Sequence, residues 1–295
     1  MVDDCCKLNV YESYIVTSNE DRRFQFHLND YLCVGVADGH GGFGAAETCK
    51  NHICELLQNH IEAGKTITKS IVDTFSDLHD LCLKLTCKSG CTLTVVVIDK
   101  QTMEYVCVNV GDSYALHISH ATHMWITTSH RLQDNVGERE KLKDHISYIK
   151  CLSNQSIGPP RLYPGGLSCS RAIGDADCPF ISCLPSVYHD KLAKDDIICV
   201  ATDGVWDVIS CSKVLKILRN TCNPDDICRN IQKQVVKDDV SLIIVSTQKM
   251  KQSIINKLFY RSSGSSSSNS SMSDEEFAAP IVVKVPISSS NVFYV

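Results

Sequence analysis

Apolar residues along the chain gather in short runs bounded by turn residues, and most runs are too short for helices. "RFQFHL", "YLCVGVA", "TLTVVVID", "EYVCVNV", "YALHIS", "DIICVAT" and "SLIIVST" are rich in β-branched and aromatic side chains and read as strands. Asn29-Asp30 and Asp99-Lys100-Gln101 join neighbouring runs too tightly for a crossover helix, which predicts antiparallel pairing. Helical spacing is rarer. Ile67, Ile71, Phe75, Leu78, Leu81, Cys82 and Leu85 keep one helical face apolar until Ser89-Gly90. A second helix is predicted from Asn223, which can cap, with Pro224 in the first turn and Asp225 and Asp226 at the positive end of the dipole. Together these elements predict an α+β class in which helices cover packed antiparallel sheets.

The pattern stops after about Thr247. A serine and glycine run followed by an acidic patch cannot bury enough apolar surface to offset the entropy of ordering it, so 1–248 is read as the folded domain and 249–295 as a Ser-rich, acidic, disordered tail. The pieces "IVVKVP" and "NVFYV" within that tail suit addition of a strand to a partner's sheet edge, so a tail-mediated protein partner is expected.

Composition narrows the function classes. At 295 residues, with 43% hydrophobic and 21% charged side chains, the chain can bury a substantial core. A net charge of -5 offers no basic footprint for a phosphate backbone, which argues against nucleic acid. No run approaches the roughly 20 apolar residues that span a bilayer, and the start "MVDDCCKLNV" is acidic, so no membrane association and an intracellular, cytoplasmic or nuclear location are expected. The 17 cysteines show no CxxC spacing, and Cys33, Cys107 and Cys199 lie inside apolar runs, which favours reduced, core-filling thiols.

Candidate chemistry begins at "YLCVGVADGHGGFG". Its "GHGGFG" satisfies GxGxxG after a strand and before a helix, as in a dinucleotide-binding turn. Asp38, however, would set a carboxylate beside the pyrophosphate, and no second strand ends on an acid about 20 residues later. Acids instead recur at other strand ends: Asp203 and Asp207 after "IICVA", Asp112 after "YVCVNV", Asp238 before "VSLIIV", and Glu20 and Asp21 before "RFQFHL". A cluster of hard oxygen ligands suits Mg²⁺ or Mn²⁺. Two such ions can activate a water for attack on a phosphoryl group, and His40, next to Asp38, is then placed to protonate the leaving alkoxide. Phosphate ester hydrolysis is the chemistry implied.

These residues resemble the metal-dependent serine/threonine protein phosphatases of type 2C. The resemblance is carried in order by "NED" at 19, "VADGHGG" at 36, "SGCTLTVVVI" at 89, "VNVGDS" at 108, "ITTSHRL" at 126, "PGGLSCSRAIGD" at 164, "ATDGVWDVIS" at 201 and "DDVSLIIV" at 238. It implies an αββα sandwich of two antiparallel sheets flanked by helices, with a two-ion Mn²⁺ or Mg²⁺ site in the cleft at one edge and phosphoprotein substrates. By resemblance, Asp38 bridges both ions, Gly39 offers its carbonyl, and Asp203 and Asp238 are the remaining direct carboxylates. Asp112 and Asp207 match positions that hold a third, weaker ion; Glu20 and Asp21 match outer-shell positions; His40 matches the general acid. Arg171 and Asp175 look cleft-shaping rather than chemical. Three positions depart from the pattern: Val16 stands where an arginine grips substrate phosphate, leaving Arg22 and Arg23 as phosphate-binding candidates; Tyr114 ends "GDSY" where the family has arginine; and Ser129 precedes His130 where the family has aspartate. A catalytically weak or dead relative acting as an adaptor through its tail is the alternative.

Overall fold

Asn29 turns the chain at a positive φ of 51° between strand β2 (Arg22–Leu28) and strand β3 (Tyr31–Ala37), and the two pair antiparallel. Strand β6 (Leu93–Asp99) pairs with β3 and is followed by a turn in which the Asp99 carboxylate accepts from the amides of Gln101 and Thr102. That turn delivers strand β7 (Glu104–Val110), and β13 (Ser186–Lys191) completes the antiparallel run β13-β7-β6-β3-β2. A second sheet, ordered β1-β15-β14-β8-β9, takes β1 (Asn9–Ile15), β15 (Val240–Ser246), β14 (Ile197–Ala201), β8 (Tyr114–Ile118) and β9 (His123–Trp125), again all antiparallel. The computed structural model describes residues 8–85, 88–120, 122–150, 156–221, 223–233, 238–247 and 292–293.

The two sheets stack face to face. Leu32, Val34, Val36, Val96 and Ile98 of the first meet Ile198, Val200, Ile243 and Val245 of the second in one buried cluster. The outer face of the first sheet is covered by α1 (Gly44–Glu62) and α2 (Ile67–Leu85), whose Ile53, Leu57, Phe75 and Leu78 pack on Cys33, Val95, Val97, Val106 and Val108. Helices α5 (Cys211–Thr221) and α6 (Pro224–Ile231) cover the second sheet through Val214, Leu218, Ile227 and Ile231. The result is the expected αββα sandwich. Because both faces of each sheet are buried, the central strands read as nearly unbroken apolar runs rather than alternating ones. Each large side chain so enclosed, Phe75 for example, contributes roughly 1.5–3 kcal/mol.

The local signals are met as well. Asn223 caps α6 by accepting from the Asp225 amide, with Pro224 as the first helical residue. Cys33, Cys107 and Cys199 are buried in their strands, and none of the described cysteines is joined in a disulfide. No helix among the described residues is long and apolar enough to cross a membrane. Of the tail, β16 (Val292–Phe293) pairs with β13, so these two residues of "NVFYV", a segment expected to extend a partner's sheet, lie on an edge of their own chain's sheet here. The expected disorder of 249–295 otherwise falls outside the described residues.

Candidate active site

The strand ends converge because two loops are tied to the end of the chain's last central strand. Asp239, 3% exposed at the start of β15, turns its carboxylate onto the loop before β2. Its Oδ1 accepts from the amides of Thr17, Ser18 and Asn19 at 2.5, 2.8 and 3.1 Å, and its Oδ2 from those of Glu20 and Asp21 at 2.6 and 3.1 Å. Burial resists this charge, but the backbone donors win and hold the carboxyl at about 2. The loop so captured presents Glu20 and Asp21. Glu20 then accepts from the Gly42 amide at 2.7 Å, linking this loop to the glycine-rich turn after Asp38. The backbones approach so closely that a Cβ at Gly39 would meet the Glu20 carbonyl oxygen at 2.6 Å, and one at Gly204 the Asp239 carbonyl oxygen at 2.0 Å.

Asp38 follows β3 directly, and its backbone is clamped to Thr92, whose amide donates to the Asp38 carbonyl at 2.9 Å. Across the cleft, Asp203 opens the short helix α4 (Asp203–Trp206) after β14. Burial raises the Asp38 carboxyl well above its ordinary range, and the charges of Asp203 and Asp21 add to the effect. Burial likewise pushes Asp21 up to about 7, opposed by the hydroxyl of Thr202, which donates to it at 2.9 Å. Asp203 is pushed up to about 6, by burial and then by Asp112. Asp238 is raised by its burial too. Asp203 Oδ1 is enclosed and lacks a hydrogen-bond partner, a costly arrangement unless something positive is bound. Glu20, Asp38, Asp112, Asp203 and Asp238 all line one cleft of about 870 Å³, with Gly39 and His40 on its wall.

His40 lies on β4 (Gly39–His40), which pairs with β5 (Gly90–Cys91), itself paired with β12 (Ile173–Gly174). Its Nε2 donates to both oxygens of Asp175, at 2.8 and 2.9 Å. Asp175 is 6% exposed and held at a φ of 62°, and Gly90 makes room for it: a Cβ there would lie 2.1 Å from Asp175 Oδ2. Asp175, expected only to shape the cleft, therefore touches the expected general acid. Arg171 does meet that expectation, donating to the buried Glu138 at 2.8 Å.

Asp112 and Asp207 are brought to Asp203, but around a side chain. Arg131 donates from Nε to Asp112 at 2.5 Å, from Nη2 to Asp203 at 2.7 Å, and from both terminal nitrogens to Asp207 at 2.9 and 2.8 Å. Among the described residues, no three acidic, histidine or cysteine groups are gathered closely enough to form a ready metal cage. Hard carboxylate oxygens with depressed acidity and one orphaned oxygen nonetheless fit a divalent cation at Asp38 and Asp203.

Two departures from the family pattern turn out to be one: the Tyr114 hydroxyl and the Ser129 hydroxyl share a hydrogen bond of 2.9 Å. The third resolves differently. Arg22 pairs with Glu47 and lies over the Phe43 ring, while Arg23 pairs with Glu12 at 3.2 Å and stacks on Tyr14 at 3.5 Å. With Val16 they line a separate hollow of about 320 Å³ rather than the acidic cleft. Arg161 and Lys88 are basic residues on the cleft wall that sequence reasoning missed, since neither falls in a strand-end pattern.

Comparison with known proteins agrees with this geometry. The family model of protein phosphatase 2C matches residues 22–241. The chain is 30% identical over 229 residues to a probable protein phosphatase 2C of Arabidopsis thaliana, covering 72% of this chain and 53% of that one. It is 31% identical over 229 residues to another from Oryza sativa subsp. japonica, covering 71% and 52%. It thus spans about half the length of the curated relatives it matches. Among solved structures, a Caenorhabditis elegans sex-determining protein superposes with a TM-score of 0.72 at 19% identity, over 82% of this chain and 65% of that one. A serine-threonine phosphatase 2C from Toxoplasma gondii does so with a TM-score of 0.66 at 17% identity, over 81% and 94%. The family match runs from β2 to the start of β15 and takes in Asp38, His40, Asp112, Asp203 and Asp238, and on it the chain belongs to the protein phosphatase 2C family.

Proposed function

We propose that the chain hydrolyses phosphoserine and phosphothreonine on proteins, with Mn²⁺ or Mg²⁺ held by Asp38, Asp203 and Asp238 and the Gly39 carbonyl, and with Glu20 and Asp21 behind them. The observation that carries this reading is the His40–Asp175 pair on the wall of a cleft whose buried carboxylates include an unpartnered oxygen. Two divalent ions would lower the pKa of a water and draw charge from the phosphoryl oxygens. The remaining work falls to the chain's own groups. Asp175 takes the Nε2 proton of His40 in a hydrogen bond and fixes the ring, so the proton available to a leaving serine or threonine oxygen is the one on Nδ1. Asp239 keeps Glu20 at the cleft and Asp21 behind it by fixing their backbone. Arg161 and Lys88 offer positive charge for an incoming phosphoprotein. The abundance of cysteine favours a reducing, intracellular setting. Nothing among the described residues favours the adaptor alternative or a role for the tail in recruiting a partner.

The test is hydrolysis of a phosphoserine peptide and of para-nitrophenyl phosphate by the purified full chain in Mn²⁺ and in EDTA. Asp38→Asn is expected to abolish turnover of both. His40→Ala is expected to cost roughly 10²- to 10⁴-fold on phosphoserine and little on nitrophenyl phosphate, whose leaving group needs no proton, and Asp175→Asn should follow the same split more weakly. Wild-type rates in EDTA, or equal losses on both substrates for His40→Ala, would overturn the reading.

A further inference from the structure

We infer that Arg131 is a built-in cation that occupies, through Asp112, Asp203 and Asp207, the outer position where a third ion would otherwise sit. The inference rests on the reading of Asp38, Asp203 and Asp238 as holders of divalent ions. Three carboxylates point at one guanidinium, and all three of its nitrogens donate: Nε to Asp112, Nη1 to Asp207, and Nη2 to Asp203 and Asp207. The Asp207 contact is a two-point fork, the geometry that makes arginine rather than lysine the partner of choice for a carboxylate. A guanidinium stays charged at any pH the fold survives, so it neutralises the acids permanently, whereas an ion does so only when supplied.

The root of the side chain is as fixed as its head. His130, wholly buried, accepts from the Gly111 amide through Nδ1 at 3.1 Å and bonds Ser186 through Nε2 at 2.9 Å. The Leu132 amide donates to the Ser168 carbonyl at 2.9 Å, and Leu132 is buried. Arg131 is therefore anchored on both sides and only 23% exposed, unlike a surface arginine that folds onto whatever acid is near. Asp203 divides its two oxygens accordingly. Oδ2 faces Arg131, while the enclosed Oδ1 has no hydrogen-bond partner and is the oxygen left for the inner ions. On this assignment Asp112 and Asp207 serve the arginine and are not metal ligands.

Equilibrium dialysis of the full chain against Mn²⁺, with bound metal counted per chain, tests this without reference to turnover. Wild type is expected to saturate at two ions and Arg131→Ala at three, the added one weak. Asp207→Asn in the otherwise native chain should leave the wild-type count unchanged. In EDTA, Arg131→Ala is expected to melt roughly 5 °C or more below wild type, because three acids lose their counter-charge, and Mn²⁺ should raise its melting temperature more than that of wild type. Equal counts in wild type and Arg131→Ala would overturn the inference and leave the proposed phosphatase standing. So would a loss of one ion on Asp207→Asn. No bound Mn²⁺ in any form would overturn the proposed function, and this inference with it.

Discussion

Asp239 is a carboxylate that spends its charge on backbone amides rather than on a cation, and that choice is measurable. A carboxyl held at about 2 in the fold and at 3.8 in the unfolded chain contributes roughly 2 kcal/mol at neutral pH. Because its acidity is strengthened by folding, the contribution is complete above pH 4 and drains away as pH falls through about 2. Asp239→Asn is therefore expected to lower stability by about 2 kcal/mol at pH 7, with the gap to wild type closing as urea unfolding is repeated from pH 4 downward. A gap that is the same at pH 3 as at pH 7 would mean that the amides do not need the charge. In the sequence this residue is only the neighbour of Asp238. Its donors, Thr17 to Asp21, lie 218 to 222 positions away, and nothing local announces such a partnership. Asp38, His40 and Asp203 were legible for the opposite reason: each adjoins an apolar run that could only be a buried strand.

At the level of strands and helices, burial on both faces made β3, β6, β7, β8, β14 and β15 readable, and β2 showed itself by alternation, with Phe24 and Leu28 buried. β1 and β13 escaped notice because "NVYESYI" and "SVYHDK" mix polar and apolar positions, and β4, β5 and β12, two residues each, are too short to show any period. Those three short strands hold His40 against Asp175, so the part of the site least visible in the pattern is the support of the proposed proton donor. The start of β8 teaches a second lesson. Tyr114 and Ser129 each look like a defect when taken singly, yet they bond one another, so two charges expected of the family are replaced together by two hydroxyls. Tyr114→Arg or Ser129→Asp alone should each cost about 1–3 kcal/mol, because each sets a charge in place of one half of a half-buried hydroxyl pair. The double variant should regain most of the loss, and a thermodynamic cycle of the four proteins measures it. Losses that simply add would show the positions to be independent.

Across the whole molecule, β15 is the element on which the site depends, since it lies between β1 and β14 and carries Asp238 and Asp239 at its head. A chain ending at Thr247 keeps that strand and, among the described residues, gives up only the β16 contact on β13. It is expected to hydrolyse para-nitrophenyl phosphate at the full-length rate. A chain ending at residue 233 splits the second sheet and should neither melt cooperatively nor turn over. Activity in the shorter chain would show that the site is assembled without β15, and inactivity in the longer one would make the tail part of the fold. The amides of Thr17 to Asp21 leave the ribosome 218 to 222 residues before the carboxylate that organises them. Throughout its own translation the nascent polypeptide thus carries these acids without the carboxylate that gathers them, and a product terminated before β15 is expected to be inactive.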